Sequence, residues 1–353
     1  MTLGPLLDRV PVALRGASAY HVPQPPVIHA KLDANELPHA WPPELRARLG
    51  QALANVSLER YPDPRARELR TILASQLQVD PNQLTFGNGS DELIAMLCAA
   101  FAGPILYPVP TFVYYKLAAT ARGLPTIEIP LDDQFQLDAA SLEWAIVEHK
   151  PSVVFLALPN NPTGTLWPLD TALQLAARHR DTVIVSDEAY LAYSGRTNLA
   201  ALAQHPNLVV MRTLSKVGLA GLRVGFTIAS PAIAELLEKV RPPYNLSSLD
   251  QAAAVFALTE ALEWCATSAH DVVVERARLA TALATYGEVF PSEANLILVR
   301  FGAGRAAEIW KQLADRGIVV RNFDQPGPLA GCLRITVGTA AENDLLLRTL
   351  ADL

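Results

Sequence analysis

The chain has 353 residues, half of them hydrophobic and 18% charged, with a net charge of −6. That is enough apolar material for one large or two smaller domains, and too much for a disordered chain. The acidic balance excludes the clustered basic surface that nucleic-acid binding needs. The three widely spaced cysteines, Cys98, Cys265 and Cys332, form neither a disulfide framework nor a metal pattern, which fits a reducing cytoplasm.

Residues 1–30 are irregular, with Pro23, Pro25 and Pro26 close together, and they lack the long apolar stretch and cleavage site of a signal peptide. Segments 44–55 and 64–78 have helical spacing, and Gly87-Asn88-Gly89-Ser90 introduces a helix over 91–101. The uncharged stretch from Leu93 to Pro110 is broken by Gly103, Pro104 and Pro108, so it predicts a buried helix and a short strand instead of a membrane span. Short β-rich runs then alternate with helices: ILYPV at 105–109, VVFLAL at 153–158, TVIVS at 182–186, LVVM at 208–211 and VGFTIA at 224–229. Apolar runs of this kind predict an α/β fold with a mainly parallel sheet covered on both faces. After Pro242-Pro243 comes an Ala-rich helical region over 249–285. The runs LILVRF at 296–301, GIVV at 317–320 and LRITVG at 333–338 follow it. We therefore expect a large domain over 31–245 and a smaller α+β domain over 246–353, with residues 1–30 packing on the latter and over the site.

Ligands of open α/β sheets bind beyond the carboxyl ends of the strands, and four motifs fall there. In Gly87-Asn88-Gly89-Ser90-Asp91, glycines before a helix let backbone N–H groups approach an anion. A plain N-cap by Ser90 or Asp91 serves the same pattern, and position 92 is Glu, so the dinucleotide fingerprint is incomplete. Asn160 and Asn161 follow VVFLAL in a turn that could present an amide. Asp187 and Tyr190 follow TVIVS. An acid at a buried strand end needs a partner, either a local cap or ion pair or a protonated ligand nitrogen. Thr213–Gly225 joins Ser215 and Arg223, donors suited to a phosphate, to Lys216, whose amine must be neutral to attack a carbonyl. A cation such as Arg223 would lower its pKa, whereas a salt-bridged surface lysine is the ordinary alternative. Together the groups suit a phosphorylated pyridine aldehyde.

At these residues the chain resembles the fold-type I pyridoxal-phosphate aminotransferases, and within them the histidinol-phosphate aminotransferases. The similarity runs through SAYHVP at 18–23, LDANELP at 32–38, RYPD at 60–63, GNGSDE at 87–92, PTFVYY at 110–115, NNPTG at 160–164, DEAY at 187–190, TLSKVGLAGLR at 213–223, PYN at 243–245 and GCLRITVGT at 331–339. The resemblance implies that Lys216 forms the Schiff base with pyridoxal 5'-phosphate. It implies that Asp187 holds the proton on the pyridine nitrogen, and that Tyr190 and Asn161 bond the ring's phenolic oxygen. Gly89, Ser90, Asp91, Thr213, Ser215 and Arg223 would take the phosphate, and Phe112, where the family often has Tyr, would stack on the ring. Tyr61 would reach the phosphate in a neighbouring subunit, which implies a homodimer. Arg334 would take a substrate carboxylate, with Asn35 nearby, while Tyr20 and Arg321 would take a substrate phosphate. For Arg321 a salt bridge, and for Tyr20 a core position, are the structural alternatives. The implied reaction exchanges the amino group between histidinol phosphate and glutamate. Alternatives are a broad aromatic aminotransferase, a phosphothreonine decarboxylase or a non-catalytic cofactor-binding regulator. The last usually carries a DNA-binding domain, for which this chain has no spare basic segment.

Overall fold

The structure is a computed structural model and describes residues 4–10, 15, 25–302 and 304–353. Its strands in chain order are β1 (Ala30–Leu32), β2 (Leu84–Asn88), β3 (Ile105–Val109), β4 (Thr126–Pro130), β5 (Val153–Ala157), β6 (Val183–Asp187), β7 (Leu208–Thr213), β8 (Val224–Ala229), β9 (Glu288–Val289), β10 (Leu296–Arg300), β11 (Ile318–Asn322) and β12 (Cys332–Thr336). They form a seven-stranded sheet, β2-β8-β7-β6-β5-β3-β4, and a five-stranded sheet, β1-β11-β12-β10-β9.

The large sheet is apolar on both faces because helices cover both. In β5, Val154 and Leu156 enter one hydrophobic cluster while Val153 and Phe155 enter the other, the period-2 alternation of an extended chain. Helices Gly89–Ala100 and Pro231–Val240 close one face through Leu93, Leu97 and Leu237, and helices Arg67–Leu77, Ala139–His149 and Ser248–Glu260 close the other. Each fully buried Leu, Ile or Phe contributes about 1.5–3 kcal/mol.

One strand departs from the expected parallel arrangement. β8 pairs antiparallel with both β7 and β2. The connection from Thr213 to Val224 carries no crossover helix long enough to return the chain to the far edge, so β8 must run back. The start of β8 therefore lies at the same edge as the carboxyl ends of β2, β3, β5, β6 and β7. The long helical region at 249–285 is two helices, Ser248–Glu260 and Leu262–Leu283. β2 and the Pro-ended edge strand β4 carry no alternating signal and were not legible as strands.

The second sheet buries its own cluster against helices Leu262–Leu283, Arg305–Asp315 and Ala340–Ala351. Its edge strand β1 comes from the N-terminal part and pairs parallel with β11. Arg321 of β11 and Arg334 of β12 are directly opposite in an antiparallel register, so they share a face.

A buried ion pair ties β6 to β7 just behind that edge. Glu188, 1% exposed, accepts from Arg212 Nε at 3.1 Å and Nη2 at 3.0 Å, and also from Thr197 and the Asn198 N–H. Removing one partner would strand the other charge in the interior. Arg212→Met should therefore lower stability by about 3–5 kcal/mol. Urea unfolding measures this, and a loss below about 1 kcal/mol would mean that water reaches Glu188.

Candidate active site

The strand ends surround a cavity of about 220 Å³. β2 ends at Asn88 and the helix begins at once with Gly89. The Asn88 side chain makes no cap bond, which leaves the first-turn N–H groups for a ligand. A cap from Ser90 or Asp91 is ruled out, because both lie inside the first turn. The Asp91 carboxylate instead meets Arg223 Nη2 at 3.1 Å, and Arg223 Nη1 reaches Ser215 Oγ at 3.2 Å. Ser215 Oγ also meets Thr213 Oγ1 at 3.0 Å.

Glycine is required at position 225 by space and at position 89 by its backbone, at φ 77°. A Cβ on Gly89 would lie 2.5 Å from Arg223 Nη2, and one on Gly225 would lie 2.8 Å from the Gly89 carbonyl carbon and 2.9 Å from the Ser90 nitrogen. Backbone N–H groups, two hydroxyls and a guanidinium converge where side chains are excluded. This donor set fits a phosphate.

Lys216 lies in a kinked turn over Ser215–Leu219, where Gly218 takes φ 91°. Its Nζ is 3.4 Å from the Ala34 carbonyl and 5.9 Å from the centre of the Tyr190 ring. Burial lowers its pKa most, and Arg334 adds to the effect, bringing it to about 8. The expected influence of Arg223 is present but smaller, and Glu36 and Asp91 oppose it. At neutral pH the amine is still mainly protonated, but its neutral fraction, about one in ten, is far above that of an ordinary lysine.

Asp187 ends β6 with its side chain enclosed at 5% exposure. Burial raises its pKa to about 6, against the pull of hydrogen bonds from Tyr115 Oη at 2.6 Å and the Ala189 N–H at 3.1 Å. A cationic ring nitrogen beside it would favour the carboxylate again. The sequence alone does not single out Tyr115. Its signal was the spacing Phe112-x-x-Tyr115, which puts both rings on the cavity side of one turn, with centroids 5.7 Å apart and edge-on.

Of the two asparagines, only Asn161 faces the cavity. Asn160 is scaffold, accepting from Thr111 Oγ1 at 2.7 Å and donating to the Pro110 carbonyl at 3.0 Å. Asn161 Oδ1 accepts from Arg334 Nη1 at 2.6 Å, and Arg334 Nη2 donates to the Asp33 carbonyl at 2.5 Å. Asn35, in the left-handed region at φ 54°, donates to Tyr190 Oη at 2.8 Å and accepts from Thr336 Oγ1 at 3.1 Å. Tyr190 accepts in that bond, so its own hydrogen remains available to a ligand oxygen.

Ser90, Asp91, Phe112, Asn161, Thr213 and Ser215 therefore join Asp187, Tyr190, Lys216, Arg223, Arg334 and Asn35 around one cavity. Gly89 stands just behind the wall, against Arg223. Arg321 does not line this cavity but shares a sheet face with Arg334. Tyr61 is outside it, 81% exposed and stacked on Tyr244 at 4.6 Å. Tyr20 lies outside the described residues. Among the described residues no cluster could hold a metal and no helix is long and apolar enough to cross a membrane.

With Lys216 near pKa 8, its reaction in the ligand-free protein with a small electrophile should rise about tenfold per pH unit below 8 and level off above. Arg334→Met removes a repelling cation and should move that midpoint upward. Competitive labelling with mass spectrometry measures both, and a midpoint near 10.5 in the unsubstituted protein would contradict the geometry.

Residues 28–350 match the family described as aminotransferase class I and II. The chain is 43% identical over 330 residues to a histidinol-phosphate aminotransferase of Polaromonas naphthalenivorans, covering 91% of this chain and 89% of that one. It is 42% identical to the enzyme of the same name from Methylibium petroleiphilum, covering 99% and 95%. The crystal structure of the Sinorhizobium meliloti histidinol-phosphate aminotransferase in complex with pyridoxal-5'-phosphate superposes with a TM-score of 0.85 at 27% identity, covering 98% of this chain and 97% of that one. The site geometry and these similarities agree: this chain belongs to the aminotransferase class I and II family.

Proposed function

We propose that the protein transfers the amino group between histidinol phosphate and 2-oxoglutarate, in the biosynthesis of histidine, using pyridoxal 5'-phosphate. The observation that carries the chemistry is a lysine of lowered pKa between a glycine-built phosphate cradle and a buried aspartate. The names of relatives at 42–43% identity across the chain support the substrate. When bound, the cofactor supplies an electron-withdrawing ring that accepts charge from the substrate's Cα.

The residues divide the remaining work. The first turn of helix Gly89–Ala100 with Thr213, Ser215 and Arg223 anchors the phosphate, and Phe112 supplies the stacking surface. Asp187, oriented by Tyr115, would keep a proton on the ring nitrogen, and Tyr190 would donate to the ring oxygen beside Asn161. When not bound to the cofactor, Lys216 Nζ would serve as a base in the site. It would move the proton of the substrate's Cα, acting as general base and then as acid. Arg334 leaves Asn161 or the Asp33 carbonyl to receive a carboxylate, and Arg321 supplies a second cation on the same face for a phosphate or a second carboxylate. One site can in this way serve glutamate and a phosphorylated substrate in turn. Tyr61, exposed and paired with Tyr244, suits a homodimer in which it reaches the partner's phosphate site.

Lys216→Ala should abolish turnover and the visible absorbance that the unsubstituted protein gains with pyridoxal phosphate; retained absorbance would sink the lysine assignment. Arg321→Ala should raise the KM for histidinol phosphate at least about tenfold, the loss of about 1.4 kcal/mol, with a smaller effect on phenylalanine. Absorbance assays comparing histidinol phosphate, phenylalanine and phosphothreonine test the substrate. Absence of a half-reaction with histidinol phosphate would remove this reading and favour the aromatic or decarboxylase alternatives.

A further inference from the structure

Two phenols on one short turn stand behind the site, Tyr190 lining the cavity and Tyr193 set back from it. Helix Leu191–Ser194 follows DEAY, and Tyr190 and Tyr193 are three residues apart at its start. Both rings are buried in the hydrophobic cluster built by the second sheet, at 5% and 4% exposure. The Tyr190 hydroxyl accepts from Asn35. The Tyr193 hydroxyl donates to the backbone carbonyl of Lys216.

That carbonyl needs an outside donor. Val217 at φ −118°, ψ 30° and Gly218 at φ 91°, ψ 13° are not helical, so the turn carrying Lys216 cannot offer the regular bond four residues on. Nor can the kink relax freely. A side chain at Gly218 would meet Leu37, Trp264 and Trp41 at 3.1–3.4 Å, so those three residues wall the turn closely. Burial keeps the Tyr193 phenol protonated well above the ordinary tyrosine range, so the donor is permanent.

We infer that Tyr193 is a positioning residue for Lys216, holding the peptide from which the amine is aimed into the cavity. The inference rests on the proposed role of Lys216, but its test does not. The groups facing the amine are Arg334 from β12, Arg223 at the end of the turn, Glu36 after β1, Asp91 of helix Gly89–Ala100 and the ring of Tyr190. The held position sets the amine against the Ala34 carbonyl and under the influence of Arg334. Released, the amine can swing toward water and the two carboxylates.

The experiment is competitive acetylation of Lys216 across pH in the cofactor-free full chain, with Tyr193→Phe and Trp167→Phe compared. Trp167 is 1% exposed and donates to the Phe135 carbonyl at 3.0 Å without lining the cavity. It therefore serves as the control for loss of a buried donor. Tyr193→Phe should raise the Lys216 midpoint by about one unit, a tenfold smaller neutral fraction at pH 7, and Trp167→Phe should leave it unchanged. An unchanged midpoint in folded Tyr193→Phe overturns the inference. So does an equal shift in both variants, which would mark a general loss of stability. If Tyr193→Phe does not fold, the Tyr193 hydroxyl proton in the unsubstituted protein is read by NMR. Slow exchange with a cross-peak to Lys216 or Val217 supports the bond, and rapid exchange with solvent overturns it. Should pyridoxal phosphate attach elsewhere while Tyr193→Phe still shifts Lys216, the functional reading fails and the positioning role stands.

Discussion

The contact on which the site depends is backbone against backbone: Gly225 pressed onto the Gly89–Ser90 peptide. It exists because β8 runs back along both β7 and β2, pairing Gly225 with Thr213 on one side and Gly87 on the other. The phosphate cradle and the lysine turn come from segments about 125 residues apart. This pairing brings them within one residue's reach, and Arg223, entering β8 at φ 51°, completes the cradle at the cost of an unfavourable backbone conformation. No side chain could occupy position 225 without pushing the helix start away from the cavity that Lys216 and Asp187 line.

A second set of bonds joins the two sheets. Residues 33–36 are gripped by Arg334, Thr336 and Asn295 from the second sheet side and by Tyr190 and Lys216 from the first. The backbone carbonyls of this segment thus hold Arg334 and Lys216 before any ligand does. In the proposed function a carboxylate arriving at Arg334 would exchange one set of acceptors for another, which would couple substrate binding to the grip on this segment by chemistry, not by distance.

Much of this was legible in the sequence. Strands such as VVFLAL and VGFTIA declared themselves by composition, because a strand buried on both faces is apolar throughout, and the polar clusters after them marked the ligand edge. What escaped was set by tertiary context. The reversal of β8 depends on the shortness of its link, not on any residue within it. Tyr115, Asn160 and Tyr193 act on other functional groups instead of a ligand, and no local pattern separates such a residue from a core aromatic or a turn asparagine. The strength of Arg334 on the Lys216 amine could not be read either, since 118 residues of chain separate them and only the fold brings them together.

In the proposed function Lys216 carries the cofactor. Reducing the purified protein with borohydride in the presence of pyridoxal phosphate, followed by peptide mapping, tests it directly. The account predicts a single modified peptide, containing Lys216, with labelling suppressed when inorganic phosphate competes for the cradle. Modification concentrated on another lysine, with Lys216 left unlabelled, would contradict it.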